Sequence, residues 1–224
     1  MIRLEGVGHA YGERTVLRDV SLTLTEARVG VIGANGSGKS TFARLLNGLV
    51  IPTTGTVVVD GLDSRTQGRE IRRRVGFCFT NPDAQIIMPT VAEDVAFSLR
   101  RSGLSRTEIA AKVATALEKF GLSAFADAPA HLLSGGQKQL LALAAILVME
   151  PSVLVCDEPT TLLDLRHASM VGDLLASLPQ RIVLVTHHLN LLDGFDRVLV
   201  FDEGRVVCDA PPSAAIAHYR RLMR

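Results

Sequence analysis

One octapeptide constrains this chain more than any other stretch: GANGSGKS, residues 33–40. It fits G-x-x-x-x-G-K-[ST], follows the apolar run VGVI and precedes a helical pattern, which is the context that motif requires. A strand that enters a glycine-rich loop opening a helix belongs to an open α/β sheet, with ligands at the carboxyl ends of the strands. Gly33, Gly36 and Gly38, with Asn35 and Ser37 between them, let backbone N–H groups turn inward around a β-phosphate. Lys39 reaches the β- and γ-phosphates, the Ser40 hydroxyl suits Mg²⁺, and Thr41 meets the α-phosphate one residue further into the helix.

The surrounding pattern agrees. IRLEGVGHAY and VSLTLTEARVGVIG alternate as sheet does, a short helix is expected from about Lys39 to Asn47, TVVVD (56–60) reads as a strand, and another strand ends near Phe79. The character then changes. VAEDVAFSLRR (91–101) and SRTEIAAKVATALEKFG (105–121) have helical spacing; Ser105 and Glu108 form a capping-box pattern and Gly121 is a stop. QKQLLALAAILVME reads as a largely buried helix ended by Pro151. SVLVCDEP and IVLVTHH read as strands of a parallel sheet covered on both faces, and RVLVFDEGRVV as a hairpin turning at Asp202-Glu203-Gly204.

A chain of 224 residues, 47% hydrophobic, is long enough to bury a core. Its net charge of +1 gives no basic footprint for nucleic acid, and Arg72, Arg73 and Arg74 read as a solvated helix end. Cys78, Cys156 and Cys208 are odd in number and lack metal-ligand spacing, so they are expected as buried thiols in a reducing compartment. No apolar signal-peptide core is seen in MIRLEGVGHAYGER, and the longest apolar run, Leu140 to Met149, falls short of the ~20 residues of a membrane helix. A cytosolic chain able to dock on a membrane protein is the expectation.

Hydrolysis needs more than a phosphate cradle: a metal carboxylate and a group that orients water. VLVCDEP supplies Asp157 as the metal carboxylate and Glu158 as the general base. Taken alone, the pair reads equally as two solvated carboxylates; beside the phosphate loop, the catalytic reading is favoured. Thr186, His187 and His188 end the next strand, where a histidine can donate a hydrogen bond to a γ-phosphate. HLLSGGQKQL (131–140) opens a helix on two glycines, although each costs a helix interior roughly 1 kcal/mol against alanine. A helix start with bare backbone amides suits a second anion.

In the order GANGSGKS, LSGGQ, VLVCDEP, VTHH, the chain resembles the ATP-binding cassette (ABC) ATPases over essentially its whole length. The resemblance implies an α/β fold: a P-loop NTPase (RecA-like) core with an N-terminal antiparallel β part and an inserted α-helical sub-domain. It implies one domain over 1–224, its core drawn from 1–79 and 136–224 and its helical sub-domain from about 80–135. ATP and Mg²⁺ are the implied cofactors, with Ser40, Asp157 and Thr80 toward the metal and Glu158, His187 and Lys39 in catalysis. Two subunits are expected to pack head to tail, so that Ser134, Gly135, Gly136 and Gln137 contact ATP held by Lys39 of the other copy. Tyr11 lies where the family stacks an aromatic on adenine, and Asp164, in TTLLDL, where it places the aspartate of the loop crossing the dimer interface. One departure stands out. Phe79-Thr80-Asn81-Pro82 carries threonine where the family has glutamine. Either Thr80 reaches Mg²⁺ through a water or that role is weakened, with Gln85 belonging instead to a partner contact.

NPDAQIIMPTVAEDVAFSL is similar to the energy-coupling factor (ECF) importers for vitamins and metal ions. The short C-terminus and the Thr-His-His pairing look most like the biotin systems, with cobalt or nickel systems next. That likeness implies a peripheral subunit on the cytoplasmic face of the membrane. Its partners would be a second ABC ATPase subunit (an identical copy or a paralogue), a transmembrane coupling protein and a substrate-binding membrane protein, without nucleic acid. A groove near residues 80–100 would receive the coupling protein, and Ile86, Ile87 and Met88 either line it or pack in the core. Two other readings are an ABC-type ATPase acting on nucleic acid or ribosomes, disfavoured by near-neutral charge and a single cassette, and a non-catalytic nucleotide sensor, disfavoured by the intact Lys39, Asp157, Glu158 and His187.

Overall fold

The computed structural model describes residues 1–224. Along the chain the elements are β1 (Ile2–Tyr11), β2 (Arg14–Leu24), β3 (Arg28–Gly33), α1 (Lys39–Leu46), β4 (Thr54–Val59), β5 (Leu62–Asp63), α2 (Gly68–Arg74), β6 (Val75–Cys78), α3 (Val91–Ser98), α4 (Arg106–Lys119), α5 (Gly135–Leu147), β7 (Val153–Asp157), α6 (Leu165–Ser177), β8 (Arg181–Val185), β9 (Arg197–Asp202), β10 (Arg205–Ala210) and α7 (Pro212–Leu222). They form two compact units.

The first unit comprises Met1–Phe77, Ser152–Glu158 and Pro179–Arg224. It holds an antiparallel sheet ordered β2-β1-β4-β5 and a second sheet ordered β10-β9-β3-β8-β7-β6. In the second, β3 pairs in parallel with both β8 and β9, and β7 in parallel with β8. Strands flanked on both faces must be apolar throughout. Accordingly VLVCD of β7 is buried at every position, and β3, β8 and β9 nearly so. Edge strand β10 alternates instead, which leaves Cys208 half-buried; the expectation of three buried thiols holds for Cys78 and Cys156 only. Phe42 of α1 meets Phe201 of β9 with ring centroids 4.9 Å apart. The parallel register aligns Val31 and Asp157 with the same residue of β8, Val185. The glycine loop after β3, the carboxylates ending β7 and the histidines after β8 therefore leave the sheet together at the carboxyl ends of its strands.

The second unit comprises Cys78–Pro151 and Pro159–Leu178. α5 and α6 bury their apolar faces within this unit: α5 touches α3, α4 and α6. Val91 and Val95 of α3, Val113 and Leu117 of α4, and Leu141, Leu143 and Leu147 of α5 supply its core. Capping boxes start α3 at Thr90 and α4 at Ser105. No helix of the chain is long and apolar enough to cross a membrane.

Candidate active site

The loop after β3 is held open by its glycines. Gly38 has φ 103°, and a Cβ there would lie 2.8 Å from the Val16 carbonyl oxygen and 2.7 Å from Leu17 Cδ2. A side chain at Gly33 would run into the Phe201 carbonyl oxygen at 2.2 Å, whereas nothing lies within 4 Å of a Cβ at Gly36, on the open side of the loop. Asn35 is also exposed there. Lys39 starts α1 and is 7% exposed; its Nζ donates to the carbonyls of Gly33 (2.8 Å) and Ala34 (2.9 Å). Burial pushes the Lys39 ammonium below its usual range, against the pull of Glu158 and Asp157. Ser37 Oγ is buried without a hydrogen-bond partner, and Thr41 is buried one residue into the helix. A cavity of about 550 Å³ opens beside Gly36, lined in part by Arg14, Arg18 and Arg205. Tyr11, half exposed at the end of β1, meets the His9 ring edge to face at 4.6 Å.

Asp157 ends β7 at 2% exposure and accepts a hydrogen bond from Ser40 Oγ at 2.9 Å. Burial raises its carboxyl above the ordinary range, and the Ser40 bond and Arg44 only partly offset this. Glu158 follows with φ 55°, in the left-handed region, where a non-glycine residue is uncommon and carries strain of the kind found at active sites. Its backbone N–H is pinned to the Val185 carbonyl at 2.9 Å. Its Oε2 lies 2.6 Å from His187 Nδ1 and accepts from the His187 backbone N–H at 3.3 Å. The structure thus brings Lys39, Ser40, Asp157, Glu158 and His187 together in the first unit.

Ser134, Gly135, Gly136 and Gln137 lie in the second unit and begin α5, which starts two residues earlier than the sequence pattern suggested. A reciprocal capping box satisfies this end: Ser134 Oγ accepts from the Gln137 N–H (3.3 Å), and Gln137 Oε1 from the Ser134 N–H (2.9 Å). Lys138 anchors to Asp83 at 2.7 Å. Asp164 caps α6, accepting from the His167 N–H at 2.9 Å, and its two oxygens each lie 2.9 Å from His167 Nδ1. The His167 backbone and ring hold the Asp164 carboxyl below its usual range. Thr80 is half-buried in this unit, whereas Asp157 and Ser40 belong to the first. Gln85 turns back to accept from the Phe79 N–H at 3.2 Å. Ile87 is 66% exposed, and Ile86 and Met88 are half-buried, so none of the three is a core residue.

A family model described as ABC transporter matches residues 17–161. The chain belongs to the ABC transporter family. Among its relatives, the biotin transport ATP-binding protein BioM of Rhizobium etli is 48% identical over 99% of this chain and 98% of its own. CbiO1 of Clostridium perfringens, part of the ABC transporter complex cbiONQ, superposes with a TM-score of 0.85 at 31% identity, covering 99% of this chain and 92% of its own. The cassette MJ0796, solved as a dimer in a post-hydrolysis state bound to ADP and Pi, gives a TM-score of 0.83 at 28% identity, covering 95% of this chain and 99% of its own.

This ABC ATPase is equipped for its nucleotide. The orphaned Ser37 hydroxyl, the buried Lys39 and the unobstructed face of Gly36 fit a polyphosphate. Ser40 and Asp157 offer two hard oxygens, the donor type that Mg²⁺ takes when phosphate oxygens and water complete its shell. Sequence reasoning passed over His167 and α6. Their signal was the N-cap residue Asp164 ahead of the periodic apolar positions Ala168, Val171 and Leu175.

Proposed function

We propose that this ATPase powers an ECF-type importer: ATP holds two cassettes head to tail, and its hydrolysis releases them. The observation that carries the reading is the Glu158–His187 pair, 2.6 Å apart, at the carboxyl ends of the strands, where Lys39 and Asp157 also lie. Lys39, with the loop amides, binds the phosphates. Glu158, its backbone pinned at a strained φ, takes the proton of the attacking water, and His187 orients its carboxylate. Mg²⁺, held by Ser40 and Asp157, would neutralise charge between the β- and γ-phosphates. Tyr11 would stack on adenine, while Ser134, Gly135, Gly136 and Gln137 approach the partner's γ-phosphate. The single cassette would work as a core of 1–79 and 136–224 with its helical part at about 80–135, where exposed Ile87 would meet a transmembrane coupling protein.

Biotin is the proposed solute, supported by the full-length likeness to the biotin-named relative; the likeness to CbiO1 of the cbiONQ complex makes a metal ion the alternative. Glu158→Gln should retain ATP, lower turnover at least about a hundredfold and accumulate an Mg·ATP-dependent dimer. Normal turnover by that variant would remove Glu158 from its role. Uptake of labelled biotin against labelled cobalt in cells co-expressing this chain with its transmembrane coupling and substrate-binding partners would separate the two solutes.

A further inference from the structure

We propose that His167 is a positioning residue that locks the Asp164 turn to the first turn of α5, so that both reach a partner's nucleotide as one piece. The inference rests on the head-to-tail reading above. The His167 ring occupies the place where residue 136 would carry a side chain: a Cβ there would lie 2.2 Å from Cδ2, 2.6 Å from Cγ and 2.9 Å from Nε2. The opposite edge of the ring faces Asp164, with Nδ1 2.9 Å from both carboxylate oxygens, and the His167 backbone N–H binds the same carboxylate.

One side chain therefore touches both exposed segments, one through shape and the other through a hydrogen bond. Gly135 differs, since its nearest neighbour would be the Leu162 carbonyl oxygen at 4.0 Å. The pair of glycines thus divides its work. Gly135 leaves α5 open at its start, and Gly136 makes room for the ring. A phosphate-approach role alone would require no residue behind Gly136; the wedge gives that glycine an intramolecular reason to be there.

The test is a double-mutant cycle in the Glu158→Gln protein, read as the Mg·ATP-dependent dimerisation constant by analytical ultracentrifugation. Gly136→Ala should weaken the dimer about a hundredfold when His167 is present, but only about threefold beside His167→Ala, where the ring no longer fills the site. His167→Ala alone should weaken it about tenfold while ATP binding to the monomer stays within about twofold. His167→Phe, which keeps the wedge and loses the bond to Asp164, should fall between parent and His167→Ala. It also decides the matter if Gly136→Ala fails to fold. Equal costs of Gly136→Ala in both backgrounds, or parental dimerisation by both His167 variants, would overturn the inference alone. A Glu158→Gln parent that stays monomeric with Mg·ATP would overturn the head-to-tail reading and the inference with it.

Discussion

The two glycine-rich helix starts of this molecule are built in opposite ways. Around the first, polar groups are buried: Lys39 at 7% exposure, Asp157 at 2% and Ser37 at 4%, with the Ser37 hydroxyl unpaired. Around the second, Ser134 and Gly135 are exposed, and the polar side chains already serve their own helix through the Ser134–Gln137 box. Burying charge is costly unless a partner compensates it, so the first site is poised to take up a ligand that supplies the missing interactions. The second has no such deficit. On the proposed head-to-tail reading, its remaining backbone amides would receive an anion brought to the exposed Ser134 and Gly135. Exposed Leu132, Leu162 and Leu165 in the same unit give it apolar surroundings suited to a protein face rather than to a soluble nucleotide alone.

The sharpest way to break this contrast is to remove the buried cation. Lys39→Ala should weaken binding of a fluorescent ATP analogue to the monomer at least about a hundredfold, since a charged phosphate contact in a water-poor site is lost outright. Unchanged affinity would mean that the first site does not bind on its own.

A second variant probes the frame around that site. Arg197 binds Asp209 through Nε and Nη2, both at 2.6 Å, and its Nη1 reaches the Thr23 carbonyl at 2.8 Å and Glu26 at 3.0 Å. It thereby ties β2 to β9 and β10 within the first unit. Burial alone would push the Glu26 carboxyl up; hydrogen bonds from the Glu26 and Thr25 backbone and the Arg197 guanidinium outweigh it and leave the group below its ordinary range. That contribution is present above the unfolded carboxyl value and is lost as pH falls through the lower folded one. Arg197→Ala should cost about 2 kcal/mol by denaturant titration at neutral pH. The loss should shrink in acid, and a loss unchanged there would argue that Glu26 is not part of the clamp.

A smaller effect is expected at the second helix start. Ser134→Ala removes a cap whose loss typically costs about 1 kcal/mol, and turnover should fall about tenfold while the monomer binds ATP as before. A matching fall in monomer binding would erase the distinction between the two sites.

How much of this could be read from the chain follows the range of the contacts involved. GANGSGKS, VLVCDEP and the Ser105–Glu108 box are local patterns, and local sterics and hydrogen bonding fix them within a few residues. The continuous apolar runs of β7 and β8 announce a doubly covered sheet for the same reason. What stayed hidden is long-range. His167 meets Gly136 from the next helix, with β7 lying between the two in sequence, and Arg197 meets Thr23 and Glu26 from the far end of the sequence. Glu158 in the left-handed region carries no mark in a string of letters, because its strain is imposed by the neighbouring strand that pins its N–H. The short β5 and the amphipathic α7 were also passed over; both lean on neighbouring strands for their stability.

The finest test of the contrast lies in α3, well away from either glycine-rich helix start in sequence. This helix has only eight residues, too few to persist without help, and its core anchors are Val91, Val95 and the buried Asp94. Thr90 supplies the rest: its hydroxyl lies 2.8 Å from Glu93 Oε2 and accepts from the Glu93 N–H at 3.4 Å, while its own N–H donates to Glu93 Oε2 at 3.2 Å. Asp94 then receives the Ile87 and Met88 amides at 2.7 and 3.0 Å, so the cap also steadies the segment bearing exposed Ile87. Thr90→Ala should therefore cost about 1 kcal/mol, while Thr90→Ser, which keeps the hydroxyl, should cost less than half of that. ATP affinity of the monomer should not move with either, because the phosphate loop lies in the other unit. Hydrogen exchange should show faster amide exchange at Ile87 and Met88 in Thr90→Ala and no change at Lys39 or Ser40. Equal acceleration in both places would mean that the two units share their local stability, and that the two helix starts are less independent than their construction suggests.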